Sequence, residues 1–448
     1  MNDTETAVAV VGAGPAGLVA AARLGEAGAD VTVLEREDAA GGRVRSRTVD
    51  GFTIDRGFQV LFDSYPAARA ELDLEALDLR AFAPGAVICR PGSRSTLADP
   101  FRDPGAALEA AFSREITLGD KLRTLRLKRE LLHGSESKAG TLGDVRSGSA
   151  NGADESIRSF LRDRGFSEAY LDRFVAPFYG GITLDRSLST SARVFVETFR
   201  AMSDGRTVVP AAGMGAITRQ LADRARDAGC TIRLETAVEG LTVEESATGD
   251  TNARAEGVRL RLADGSETVA DAAVVAASPP EARRLTDVES IPTDGVGCVT
   301  QWYTLPPGRS LGIGPRILLN AGDERPNTVA PLGAVAPEYA PDGRTLLAAT
   351  FVDDDAFDRD DATLAAETER ALASWFPERS LDGLRTLATD RTPFAQFAQP
   401  PGFRETLPDP TAPAGPVVLA GEYTRWSSIQ GALASGRRAS EIVLESVA

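Results

Sequence analysis

The sequence predicts an α/β protein in which a Rossmann-like domain is interrupted by a second, discontinuous α+β domain. Three observations predict it. Residues 8–44 read as strand, glycine turn, helix, strand and a second glycine pair. Strand and helix patterning of the same kind returns from Val208, after a long stretch of helices and loops. A last buried strand followed by a helix then closes the sequence, so a parallel sheet must be assembled from separated pieces.

Val8-Ala9-Val10-Val11 is short and apolar, as a strand buried on both faces should be. Gly12-Ala13-Gly14-Pro15-Ala16-Gly17 follows with G-x-G-x-x-G spacing. That spacing suits a tight turn at Gly12, close approach of a pyrophosphate at Gly14, and close helix–strand packing at Gly17. Ala20, Ala21 and Leu24 give the next helix a small apolar face, and Gly28 follows near its end. Val31-Thr32-Val33-Leu34 is the second strand. Glu35, eighteen residues after Gly17, is placed to accept hydrogen bonds from ribose hydroxyls. The stretch binds a dinucleotide, and Gly41-Gly42-Arg43-Val44 comes just after it.

A β-hairpin is expected from Val44–Thr48 and Phe52–Ile54 around Val49-Asp50-Gly51. A helix opens at Tyr65-Pro66 and runs through Leu77. Further helices are expected over 104–113, 117–132, 155–164 and 167–174. Residues 133–155 read as a mobile Gly/Ser-rich loop, with an active-site lid as the alternative. Gly213-Met214-Gly215 feeds a helix over Ala216–Ala228, and Thr231–Leu234 is a strand running into Ala237-Val238. Strands Glu256–Leu262 and Glu267–Ala270 flank an Asp264-Gly265 turn, and Ala272–Ala277 is a buried strand stopped by Pro279-Pro280. Strands over 296–305, 316–320, 328–335 and 345–352, then a helix over 360–375, belong outside the nucleotide domain. Val417–Ala420 is the last buried strand. Gly421-Glu422-Tyr423-Thr424 and a glycine-opened helix from Gly431 then make a second approach to the cofactor, helix amides forward. The nucleotide domain is thus expected over 1–74, 205–285 and 405–448, and a substrate domain over 75–204 and 286–404.

Asp and Glu total 65 against 49 Lys and Arg, a net charge of −16 that argues against nucleic acid as a partner. Only Lys121, Lys128 and Lys138 are lysines. An acidic, lysine-poor surface is halophilic in character, since salt screens its self-repulsion; biased codon usage would also replace Lys by Arg. Lys121, Arg123, Arg126, Lys128 and Arg129 alternate with leucines. That helix either solvates its charges and buries its leucines, or rests on an anionic membrane surface. No run of about twenty apolar residues suggests a transmembrane helix, and the acidic stretch Met1–Glu5 does not read as a signal peptide. Cys89, Cys230 and Cys298 fit neither a disulfide framework nor a metal site. His133 reads as a solvated surface residue, which disfavours zinc chemistry and Ser-His-Asp hydrolysis. A reduced, cytoplasmic setting is expected, with peripheral membrane contact kept open.

With Glu35 and Gly41-Gly42-Arg43 together, the sequence resembles the flavin-containing amine oxidase and phytoene-desaturase superfamily. Asp55-Arg56-Gly57-Phe58-Gln59 and Tyr65-Pro66 resemble its phytoene-desaturase-like members. Gly421-Glu422-Tyr423-Thr424 and Gly431-Ala432, with Ser435-Gly436, are similar to the plant- and cyanobacterial-type desaturase C-terminus. The resemblance implies a Rossmann-like FAD-binding domain of the glutathione-reductase type (type 2), holding FAD non-covalently. In its terms the loop Gly12–Gly17, with Ala13, Pro15 and Ala16, holds the pyrophosphate, and Glu35 the adenosine ribose with Arg36 beside it. Gly41, Gly42 and Arg43 meet the phosphates or the ring's edge, and Val238 presents backbone to the adenine. Gly421 and Glu422 meet the ribityl chain or pyrophosphate, where the family more usually has Asp. Ile429, Gln430, Gly431 and Ala432 lie along the isoalloxazine.

Departures from the family narrow the chemistry. Amine oxidases of this fold use a lysine near flavin N5, whereas the comparable strand here reads Cys298-Val299-Thr300-Gln301-Trp302. The second tyrosine of their aromatic cage corresponds to Ser428. Gly213-Met214-Gly215 lacks a preceding strand and a later acid, so no separate NAD(P) domain is expected, and no C-x4-C redox pair is present. Reduced flavin is then reoxidised by oxygen, a quinone or another carrier. The expected activity is removal of two hydrogens from a hydrophobic small molecule, a carotenoid or other isoprenoid being the candidate substrate. An amine oxidase or protoporphyrinogen oxidase of the same fold is the alternative, and a non-catalytic isoprenoid-escort protein the alternative of another class. Arg56, Trp302, Tyr303 and Arg425 are the substrate-side candidates; no catalytic base is identified and no metal is expected.

Overall fold

The computed structural model describes residues 6–97, 117–133, 154–244, 257–322, 325–341 and 343–447. A five-stranded parallel sheet runs in the order Thr231–Arg233, Asp30–Leu34, Ala7–Val11, Ala272–Val275, Val417–Leu419. Three of its strands, Ala7–Val11, Ala272–Val275 and Val417–Leu419, are apolar because both faces are covered, whereas the edge strand Thr231–Arg233 is largely exposed and polar. Val8, Val10, Val31, Val33 and Val274 enter one core with helices Pro15–Glu26, Gly215–Asp227 and Ile429–Val447. Ala9, Val11, Leu34, Ala273 and Val275 enter another, under the antiparallel strands Val238–Glu244, Gly257–Leu262 and Glu267–Ala270. Chain order reverses between Ala7–Val11 and Ala272–Val275, and at such a switch point the crevice beyond the strands' carboxyl ends is where ligands bind.

A second sheet of seven strands runs Arg385–Phe397, Gly295–Leu305, Thr345–Phe351, Thr328–Ala330, Ile317–Asn320, Ala86–Arg90, Ser93–Leu97. Helix Asp361–Trp375, capped by the Asp360 carboxylate accepting from Thr363 N at 2.7 Å, covers one face of it through Leu364, Leu372 and Trp375. Helices Leu118–His133, Ile157–Asp163, Ala176–Thr183 and Ala192–Asp204 gather around a separate apolar cluster.

Several expectations change. The helix opening at Pro66 stops at Glu71, because the Asp73 carboxylate accepts from Glu75 N and Ala76 N and folds the chain into a turn instead. The strand expected over 328–335 ends at Ala330, where Pro331 has no N–H to continue the ladder and a short helix Leu332–Val335 begins. Strands Leu79–Ala81, Ala86–Arg90 and Ser93–Leu97 occupy a stretch read as helices and loops. A strand, Thr207–Pro210, does precede Gly213, but it pairs antiparallel with Leu61–Phe62 and Leu79–Ala81 outside the parallel sheet. The helix expected over 104–113, the body of the 133–155 loop and the His133 side chain lie outside the described residues.

Candidate functional site

The carboxyl end of strand Ala7–Val11 feeds a cradle of backbone. Gly12 sits at φ +104°, and a Cβ there would meet Ala276 O at 2.8 Å, so only glycine makes this turn beside the neighbouring strand. A Cβ on Gly17 would lie 2.0 Å from Gly12 O, which is how closely helix Pro15–Glu26 approaches the turn. Gly14 differs: a Cβ on it would meet nothing within 4 Å and would project into open space. The helix that starts here has Pro at its first turn, no side-chain cap and no acid in that turn, so its leading amides and positive dipole end face the opening. Gly41 N donates to Ala13 O at 2.8 Å, and Gly42, at φ +56°, stands over Gly14 Cα. The two glycine motifs therefore form opposite lips of one anion-sized cradle.

Glu35 ends strand Asp30–Leu34 with a buried side chain. Its Oε2 accepts from Ala13 N at 2.7 Å and its Oε1 from Glu37 N at 3.0 Å. Two lone pairs remain toward the cavity for a ligand's hydroxyls. Arg36 lines the same wall with its guanidinium 3.5 Å from Glu37. Val238 lines it too, its carbonyl accepting from Arg284 at 3.3 Å.

From the far end of the chain, strand Val417–Leu419 delivers Gly421 and Glu422 to the cradle's other side. Arg43 donates from Nη2 to the buried Glu422 carboxylate and from Nη1 to Ala395 O at 2.8 Å. The arginine and the acid, read separately from the sequence, form an ion pair with each other. The amides that open helix Ile429–Val447 are partly spoken for, since Gly431 N donates to Ser428 Oγ at 2.8 Å. Ile429 and Ala432 line the cavity, whereas the Gln430 side chain turns away and its amide oxygen accepts from Ala67 N at 2.9 Å. A Cβ on Gly431 would lie 2.2 Å from Trp426 O, so that glycine serves the turn.

The cradle opens into a cavity of about 1140 Å³ with two unlike parts. Beyond Arg56, Gly57 and Cys298 the wall becomes aromatic. Phe166, Tyr170, Phe174, Phe178, Tyr179, Phe195 and Phe199 follow one another with ring centroids 4.6 to 5.6 Å apart. The described carboxylates of the cavity wall are Glu35, Glu37, Glu281 and Glu422, all at the cradle end. Burial pushes the Cys298 thiol up to about 11, with the Thr300 hydroxyl opposing it, so this cysteine is a neutral thiol at ordinary pH. An ammonium in the aromatic arm would lose its water and, among the described residues, find no anion, whereas apolar carbon would lose nothing.

Of the substrate-side candidates, Arg56 lines the cavity and donates to Gly42 O at 3.3 Å. Trp302 and Tyr303 do not line it. Both are fully buried in strand Gly295–Leu305, Trp302 donating to Asp390 at 2.8 Å and Tyr303 to Thr368 at 3.0 Å, as core residues of the second sheet. Arg425 is exposed outside the cavity. The aromatic arm itself was missed, although a signal was present. Phe166, Tyr170, Phe174 and Phe178 recur every fourth residue; Phe166 precedes the Ser167 cap, and the other three follow a continuous helical path over 168–183 with a π turn at Leu171–Val175 in it.

Comparison with known proteins gives the chain a family and a fold. The family model described as flavin containing amine oxidoreductase matches residues 15–444. A phytoene dehydrogenase of Streptomyces griseus is 32% identical over 255 residues, 50% of this chain and 47% of that protein. A putrescine oxidase of Kocuria rosea is 56% identical over 55 residues, 12% of each chain. The chain thus spans about half the length of the first of these relatives and far less of the second. The structure of a putrescine oxidase with putrescine bound superposes with a TM-score of 0.73 at 19% identity, covering 98% of this chain and 99% of that one. The likeness is one of fold.

Proposed function

The chain belongs to the flavin-containing amine oxidoreductase family, and from that premise we propose that it is an FAD-dependent oxidoreductase taking two hydrogens from a hydrophobic isoprenoid. One observation carries the reading: a glycine cradle with room for a pyrophosphate opens directly into an aromatic arm that, among the described residues, is free of carboxylates. The fold is then of the glutathione-reductase type, a reading supported by the sheet order and by the antiparallel layer over it. Residues 1–74, 205–285 and 405–448 hold the cofactor, and 75–204 and 286–404 the substrate.

When bound, the flavin supplies the two-electron chemistry. Gly12, Gly14 and the amides after Pro15 hold the pyrophosphate, Glu35 the ribose, and the Arg43–Glu422 pair the ribityl side. Ile429 and Ala432 would offer a bound ring an apolar surface, with the perpendicular rings of Tyr65 and Trp426, 6.2 Å apart, lining the same cavity. The aromatic arm aligns an elongated apolar substrate and excludes water, so that its reacting carbon–hydrogen bond meets the ring in one orientation. FAD is held non-covalently, since neither Cys89 nor Cys230 lines the cavity and the Cys298 thiol is buried and neutral. Oxygen, a quinone or another carrier accepts the electrons.

Anaerobic mixing of the FAD-loaded protein with polyenes, porphyrinogens and amines tests this. Flavin absorbance should bleach with the polyene. Bleaching by putrescine or a porphyrinogen alone would move the assignment to the oxidases of the same fold, and protein that stays colourless with added FAD would make it a binding module.

A further inference from the structure

Helix Leu118–His133 has apolar residues on two opposite faces, where a helix packed on a core needs one. Leu127 and Leu131 are buried among the second domain's helices. On the other side Leu118, Leu122 and Leu125 recur at i, i+4 and i+7 and are 73%, 60% and 38% exposed. Among the described residues the other exposed large hydrophobic is Val269 alone, on a distant strand. Leaving three leucines of one strip in water is unfavourable, and monomeric proteins rarely do it without a partner.

The charges beside the strip identify the partner. Within a chain of net charge −16, this helix carries Lys121, Arg123, Arg126, Lys128 and Arg129 against Asp120 and Glu130. Asp120 is fully buried and faces inward, accepting from Ser167 N at 2.9 Å and Ser167 Oγ at 2.7 Å. At about 3.6 residues per turn, Arg126 falls on one flank of the leucine strip and Lys121 and Lys128 on the other. Leucines inward and cations level with them on both flanks is the arrangement that seats a helix at a lipid–water boundary. A second copy of the chain would set two cationic helices against each other. The strip is also continuous with the site: Leu118, Lys121, Thr124, Leu125, Leu127 and Lys128 line the outer end of the aromatic arm.

We propose that helix Leu118–His133 docks on an anionic lipid bilayer, so that the aromatic arm opens onto the membrane and takes its substrate from there. The route taken by substrate rests on the substrate class proposed above; the docking does not. The test is co-sedimentation of the full-length, FAD-loaded protein with vesicles of phosphatidylcholine alone or mixed with phosphatidylglycerol. The protein should sediment with the phosphatidylglycerol vesicles and far less with phosphatidylcholine alone. Leu122→Ser, whose side chain does not line the cavity, should weaken partition roughly tenfold at any salt, since its apolar burial is lost. Arg126→Glu with Arg129→Glu should weaken it at low salt only, because salt screens exposed charges. Retained flavin absorbance and an unchanged melting temperature show that each variant is folded. Absence of vesicle binding, binding indifferent to all these substitutions, or a wild-type dimer that Leu122→Ser dissolves would overturn the proposal, and none of these results touches the redox reading.

Discussion

Glu35→Gln separates the loop contacts that this carboxylate makes from the ribose contact proposed for it. As a carboxylate it offers an acceptor oxygen to each of two backbone donors, Ala13 N at 2.7 Å and Glu37 N at 3.0 Å. The amide has one acceptor oxygen, so either rotamer turns its NH₂ toward one of those N–H groups. A buried donor left without a partner costs roughly 1–3 kcal/mol, and that loss should appear in the cofactor-free protein as a lowered denaturation midpoint. Loss of a charged acceptor for a ribose hydroxyl removes roughly another 1.5–3 kcal/mol from binding alone. On that arithmetic the FAD dissociation constant should rise about 10- to 150-fold. Titrating deflavinated protein with FAD, alongside urea unfolding of the same preparation, reads both quantities. An affinity unchanged within about threefold, beside the expected loss of stability, would mean that Glu35 shapes the loop and never meets the ribose.

Gly14→Val should leave the melting temperature unchanged, because its φ of −75° suits any residue and its Cβ meets nothing, yet yield colourless protein because the side chain fills the cradle. Gly17→Val, with its Cβ 2.0 Å from Gly12 O, should by contrast lower stability itself, measurable in the same melts. Asp55 is fully buried, and burial raises its carboxyl to about 6 despite hydrogen bonds from Ser46 Oγ and Met214 N. Since the folded value lies above the unfolded one, its contribution to stability is greatest below about pH 4 and is lost as pH rises through 6, by roughly 3 kcal/mol. The stability difference between wild type and Asp55→Asn should follow that curve in urea titrations; a flat difference from pH 4 to 7 would refute it. The acidic surface should make the melting temperature rise from low to molar salt, and indifference to salt would remove the halophilic reading.

Legibility followed sequence separation. Residues 8–44 carry the cradle in one continuous stretch, where strand, turn and helix signals are local, and the glycines did there what their spacing requires. The helix over 360–375 was equally plain because its Asp360 cap and its apolar spacing agree. Strand Leu79–Ala81 was invisible, since its partner Thr207–Pro210 lies far along the chain and its own three residues carry no pattern. Strand Arg385–Phe397 escaped for a related reason: it is half-exposed along most of its length, so apolar and charged residues do not alternate cleanly. Trp302 and Tyr303 looked like channel residues because a large aromatic on a strand suits either role, and only their partners Asp390 and Thr368 decide for the core. The pairing of Arg43 with Glu422 joins residues that no local signal connects.

Helix Ile429–Val447 crosses helix Pro15–Glu26 so closely that a Cβ on Gly436 would lie 2.1 Å from Ala16 O. The two sides of the cradle thus come from stretches far apart in the chain, residues 12–17 and residues 421–436. The glycine turn rests on signals local to residues 8–44, whereas the wall that Glu422 supplies forms only when the rest of the fold closes onto it. A chain truncated before Val417 should therefore keep the glycine turn and lose the opposite wall of the cradle, and with it the FAD affinity proposed above.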